Sequence, residues 1–143
     1  MKKNNKNNKG FSLVELIIVI AIMAILIGVL APQYLKFVER SRKSTDKQNV
    51  DEIVRAVEIY VADPETAAAD QVSTGAKVTI TTTSTAVSTT NATNNADKAL
   101  AAAGIDKLVL KSSKWSATTI DLTFTVDTNG NVSVTATDPT ILE

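Results

Sequence analysis

Lys9-Gly10-Phe11-Ser12-Leu13-Val14-Glu15-Leu16 opens an apolar run that continues to Ala31, and this stretch sets how the chain is organised. Residues 16–31 contain no charge and no strongly polar side chain. An α-helix rises about 1.5 Å per residue, so residues 11–31 span roughly 30 Å, the thickness of a bilayer hydrocarbon core. The run is apolar on every face, which suits lipid or the centre of a helical bundle. Two features set it apart from a plain anchor. Residues 1–10 carry Lys2, Lys3, Lys6 and Lys9 with no acidic residue, which favours the cytoplasmic side. A single carboxylate, Glu15, sits inside the apolar helix, where a charge costs on the order of 2.5–3.5 kcal/mol at the membrane centre and less near its edge.

The coincidence of a basic leader, Gly10-Phe11, Glu15 and the apolar run resembles the class III signal of type IV prepilins and the related pseudopilins. The resemblance covers about the first third of the chain. In that family a membrane aspartic peptidase cuts after the glycine and methylates the new phenylalanine amine. The resemblance therefore implies cleavage between Gly10 and Phe11, an N-methylated Phe11, and a role for Glu15 in neutralising the Phe11 amine of a neighbouring subunit. Such a pair is a weak source of stability but a strong source of register, because a misplaced copy leaves a buried charge unpaired. The small residues Ala21, Ala24, Gly28 and Ala31 recur at helical spacing and permit close approach of helices.

Gly28 and Pro32 lie one turn apart. Proline removes the amide bond to residue 28, and glycine has low helix propensity, so a kink or a locally unwound segment is expected near residues 28–33. Many members of the resembled family have a proline at this place.

From residue 33 to 62 the pattern becomes amphipathic. Val50, Ile53, Val54, Val57, Tyr60 and Val61 follow helical spacing, while Lys36, Glu39, Arg40, Arg42, Lys43, Asp46 and Lys47 crowd an earlier, exposed and charged part. The basic cluster reads as a contact to lipid phosphates, as a contact to acidic groups of adjacent subunits, or as a solvated helix face. Asp63-Pro64 ends the helix. Pro64-Glu65-Thr66-Ala67-Ala68-Ala69 allows a helical turn or two, closed by Gly75. Lys77-Val78-Thr79-Ile80-Thr81 alternates as a strand does. Residues 82–95 form a Thr/Ser/Asn tract with little to bury, an exposed loop or irregular strand. Residues 95–103 read as a short helix with Gly104 past its end, and 105–111 as a strand. The clearest β signal follows. Thr119-Ile120-Asp121-Leu122-Thr123-Phe124-Thr125-Val126 and Asn131-Val132-Ser133-Val134-Thr135-Ala136 alternate on either side of Asn129-Gly130, a strong hairpin signal. Asp127-Thr128-Asn129-Gly130-Asn131 also resembles a calcium loop, but it lacks the downstream glutamate of an EF-hand, and the hairpin reading is preferred. One relative, the major pseudopilin of type II secretion, binds calcium in its C-terminal region.

The expected fold is α+β: one long N-terminal α-helix, apolar and then amphipathic, packed on a small antiparallel β-sheet. The expected organisation is a leader at 1–10 removed by prepilin peptidase, a transmembrane or filament-core helix at 11–32, and a globular domain at 33–143.

Composition bounds the function. Basic and acidic residues number 15 each, and removing the lysine-rich leader leaves an acidic product, which argues against general nucleic-acid binding. The chain has no Cys and no His. No disulfide is available, a departure from the many pilins that close a C-terminal loop with one, and the commonest acid–base catalyst and metal ligand is missing. No catalytic residue, metal or cofactor is expected. The resemblance implies the subunit of an extracellular type IV pilus filament. Its expected partners are copies of itself in a helical filament, the prepilin peptidase, a membrane assembly platform with its ATPase, and the cytoplasmic membrane before assembly; nucleic acid would be met only through the whole filament. The alternative is a pseudopilin of a type II secretion or competence system. An enzyme or ligand-binding domain on an uncut anchor is the reading from a different class, and it lacks a reactive constellation.

Overall fold

The computed structural model describes residues 10–82, 88–89, 95–105 and 108–143. The elements in order are α1 (Leu13–Ala62), a 3-10 turn at Ala68–Asp70, β1 (Ala76–Thr81), β2 (Ser88–Thr89), α2 (Ala96–Ala102), β3 (Thr119–Val126), β4 (Val132–Ala136) and a 3-10 turn at Pro139–Ile141. The fold is α+β, as expected. The leader lies outside the described residues, except for Gly10, and so does most of the Thr/Ser/Asn tract.

By its internal contacts the chain divides into two units, one ending at Val38 and one at Glu39–Glu143. In the first, every described residue from 10 to 37 is exposed, including Leu16, Ile20 and Leu26, each more than half accessible. The helix here is long and apolar enough to cross a membrane. It runs without interruption through Gly28 and Pro32, so no unwound segment exists in the single chain. Proline deletes one hydrogen bond. Unwinding a turn would forfeit several more, with nothing in the isolated chain to replace them.

In the second unit, α1 buries Val50, Ile53 and Val57 completely, one stripe at helical spacing. The stripe belongs to a core shared with the sheet, whose strand order is β2-β1-β3-β4 with every pairing antiparallel. Three strands are full length and the fourth, β2, has two residues. Register places Ala76 beside Phe124, Val78 beside Leu122 and Ile80 beside Ile120. All six side chains are fully buried, because a period of two sends alternate residues to one face. Each large one contributes about 1.5–3 kcal/mol of burial. The hairpin of β3 and β4 forms where Asn129-Gly130 marks it, with Gly130 at φ 82. Gly104, at φ 71, closes α2. The Ile105 amide donates to the Leu100 carbonyl and the Gly104 amide to that of Ala101, the paired bonds of a Schellman cap.

Two expectations fail. No strand forms among the described residues of 105–111, and Asp46 is not a surface charge: it is 0% exposed. Its carboxylate accepts the amide of Lys111 at 2.6 Å, the amide of Ser112 at 2.9 Å and the indole N–H of Trp115 at 2.8 Å. The amide of Leu110 goes to the Thr81 carbonyl. Of the expected strand's described donors, the Lys111 amide goes to this side chain of α1 and the Ile105 amide closes α2, so no ladder is built.

A second carboxylate closes the other end of this loop. Asp138 accepts the amide and hydroxyl of Ser116 and the amide and hydroxyl of Thr140, and so fastens the last 3-10 turn, with its buried Ile141, to the lead-in of β3. These bonds, the Thr140 hydroxyl first, hold the Asp138 carboxyl well below the usual carboxylate range.

Asp46→Ala strands three donors and is expected to cost about 3 kcal/mol or more in chemical unfolding; a surface control such as Lys114→Ala should change stability by less than about 0.5 kcal/mol. The depressed Asp138 group contributes stability that is fully present above its unfolded pKa of about 3.9 and is lost as pH falls toward the lower folded value. Melting curves of wild type and Asp138→Ala should therefore be well separated at about pH 6 and converge as pH drops below about 4. A gap that stays constant through that window would contradict this role.

Candidate assembly site

The N-terminus of α1 is built from Ser12-Leu13-Val14-Glu15. Ser12 stands just before the helix, and its hydroxyl accepts the Val14 amide at 3.4 Å. Glu15 reaches back, and its Oε2 accepts the Ser12 amide at 2.8 Å. The Ser12 carbonyl accepts the first helical bond, from Leu16, at 3.3 Å. This reciprocal arrangement is a capping box, which satisfies donors that a helix start otherwise leaves open. A carboxylate in the first turn also meets the positive end of the helix dipole.

The capping role went unnoticed in the sequence, although its signal was present: Ser-x-x-Glu ahead of an apolar run. Along the sequence Glu15 stands out as a charge among apolar residues. The structure shows why a charge is tolerable there, since the helix start supplies a donor for one oxygen. Among the described residues no partner is seen for Oε1.

Phe11, Glu15, Leu16 and Val19 line one shallow concavity. The structure thus brings Phe11 and Glu15 together on one side of the helix start, with Gly10 exposed beside them. Gly28 and Pro32 are not part of this cluster; both lie exposed within the same helix. A side chain built at Gly28 would meet nothing within 4 Å, so no contact inside the chain requires glycine there.

The hairpin turn was the other candidate. The Asp127 Oδ1 accepts the amides of Asn129 and Asn131, and Oδ2 accepts the Asn131 side-chain amide, each at 2.8 Å. These bonds, the Asn131 side chain first, hold the carboxyl below its ordinary range. The carboxylate is engaged in shaping the turn, and among the described residues no group of three metal-ligating side chains gathers.

Comparison with known proteins finds similarity over the N-terminal part of the chain. Residues 5–31 match the family model of the prokaryotic N-terminal methylation motif. Prepilin peptidase-dependent protein A of Clostridium perfringens is 38% identical over 61 residues, which is 43% of each chain. The type IV major pilin protein PilA of Myxococcus xanthus is 31% identical over 61 residues, 43% of this chain and 28% of that one. The matches span less than half the length of these relatives. No solved structure matches the chain significantly.

The two halves of the capping box can be separated by substitution. Hydrogen exchange of the full chain in detergent micelles should show faster exchange at Val14 in Ser12→Ala and at Ser12 in Glu15→Ala, each by about fivefold for a cap worth about 1 kcal/mol. Glu15→Gln should retain most of the protection, because glutamine also completes the box.

Proposed function

We propose, from the premise that this chain is type IV pilin-like, that it is the structural subunit of an extracellular filament of the type IV pilus kind. The observation that carries this reading is the start of α1: apolar on all sides from residue 16 to 31, exposed from 10 to 37, with one carboxylate held at its start. Such a surface needs an apolar environment, and lipid and a bundle of like helices both supply one. The proposed sequence of events begins in the cytoplasmic membrane. A prepilin peptidase cuts between Gly10 and Phe11 and methylates the Phe11 amine. A membrane platform driven by a cytoplasmic ATPase lifts the subunit out, and the apolar helices bundle.

In this reading Glu15 sets register. One carboxylate oxygen stays on the Ser12 amide of its own chain, and Oε1 takes the Phe11 amine of a neighbour. An incoming helix in the wrong axial position leaves an amine and a carboxylate unpaired in apolar surroundings, which costs several kcal/mol. Gly28 and Pro32 are proposed as the place where the helix loosens inside the filament, where neighbours replace what unwinding removes. No catalytic step is assigned to the chain. Adhesion, motility or DNA capture would belong to the whole filament.

The test is N-terminal mass spectrometry on material sheared from the cell surface. The expected peptide begins at a methylated Phe11. Processed chain found only in the membrane fraction would favour the alternative, a pseudopilin of a secretion or competence system. An intact leader would reject both. Glu15→Gln sharpens the result: the helix cap remains and the charge is gone, so the chain should be processed yet yield at least about tenfold less sheared filament, the loss expected from one unpaired buried charge.

A further inference from the structure

The second unit carries two charged patches of opposite sign that the proposed mechanism does not use. One runs along the part of α1 whose Lys43 stacks on Trp115. It consists of Arg40, Arg42, Lys43 and Lys47 on α1, with Lys111 and Lys114 from the loop ahead of β3. The two acids within it do not cancel it. Asp46 is buried and bonded to the loop, and Glu39 accepts the Ser112 hydroxyl and lies 3.8 Å from Arg42. Lys43 rests 4.5 Å above the centre of the Trp115 ring, which fixes the patch in place.

The other patch is a groove of about 410 Å³ between α1 and the end of α2, lined by Asp51, Glu52, Arg55, Ile59 and Ala103 among others. It continues past Ile59 to Asp63. Its rim is mainly acidic and its floor is apolar. Ile59 is 73% exposed, and among the described residues of this unit no other large apolar side chain is so bare. An exposed apolar floor with a charged rim marks an interaction surface.

Both patches sit on one helix, so their relation follows from helix geometry. At about 1.5 Å and 100° per residue, the groove lies roughly 15–20 Å further along the axis than the basic patch and is turned from it by about a third of a turn. Copies that enter one membrane in the same orientation are parallel, so they cannot exchange these patches through an antiparallel two-fold pair. A parallel copy can satisfy them only by shifting along the axis and rotating. That is a heterologous contact, and with an axial shift it propagates as an open helix instead of closing into a ring.

We infer that the basic patch beside Trp115 of one copy docks into the acidic groove at Asp51, Glu52 and Asp63 of the next. The lysine and arginine stems cover Ile59 while their charges meet the rim. The inference rests on the filament reading and adds to it a second contact, which lies outside the apolar helix bundle and selects the partner by charge.

The test uses the full chain in cells that assemble it. Asp51→Lys with Glu52→Lys, and separately Arg40→Glu with Lys47→Glu, should each lower sheared filament relative to processed cell-associated chain by about tenfold or more, since like charges then face each other. The four changes together should restore recovery to within about threefold of wild type, the signature of coupled sites. Processing at Phe11 should be unchanged in every variant. Because the chain has no Cys, co-expressed Arg40→Cys and Ala103→Cys chains should give an oxidative cross-linked dimer in the fibre that neither chain gives alone. If fibres form and either reversal leaves recovery unchanged, or the combination fails to restore it, or no mixed dimer appears, the pairing is overturned. Loss from the basic reversal alone would assign that patch to anionic lipid headgroups. If wild type is processed but yields no fibre at all, the filament reading fails and the pairing falls with it.

Discussion

Apolar surface that the chain cannot cover by itself governs this molecule. From Phe11 to Phe37 nothing is buried, although burial of each large side chain would contribute about 1.5–3 kcal/mol. Leaving this half of α1 in water is therefore costly. Lipid and a bundle of identical helices are nearly equivalent alternatives, so apolar contact does little to decide between them or to choose an axial position. In the filament proposed above, whatever orders the assembly must be polar. Within the apolar part of α1, Glu15 is the charged group, and its geometry suits two roles at once. One oxygen caps its own helix, and the other is the one proposed to take a neighbour's amine.

The second unit solves the opposite problem. It is a small domain, and its core holds together because one helix stripe, Val50, Ile53 and Val57, meets the inner faces of β1 and β3. The long loop between α2 and β3 has little regular structure and would be a weak point. Two carboxylates fasten it, Asp46 near its middle and Asp138 at its end. The same fastening presents Lys111 and Lys114 beside the basic part of α1. Stability and surface charge are thus produced by one set of contacts.

Much of this was legible along the chain, where the determining interactions are local. The apolar run, the stripe on α1, the Schellman glycine at 104 and the Asn129-Gly130 hairpin all follow from neighbours a few residues apart. What escaped were contacts across long separations. Asp46 sits among charged residues, and nothing near it in sequence says that Lys111, Ser112 and Trp115 will bring it their donors. The strand expected over 105–111 failed in part because the Lys111 amide goes to that same distant carboxylate. Strand order was also not readable, because β1 pairs β3 across α2. The capping box was an exception: it is local and was visible at Ser12 and Glu15, but the same glutamate already had an explanation as a lone charge.

A filament density map at side-chain resolution, from sheared material, would examine the register role of Glu15 directly. That role requires the Glu15 carboxylate of one subunit within about 4 Å of the Phe11 amine of a neighbour, at ion-pair distance, with the Ser12 amide still on the other oxygen. A filament in which every Glu15 faces only its own Ser12, with the neighbouring amine elsewhere, would refute it.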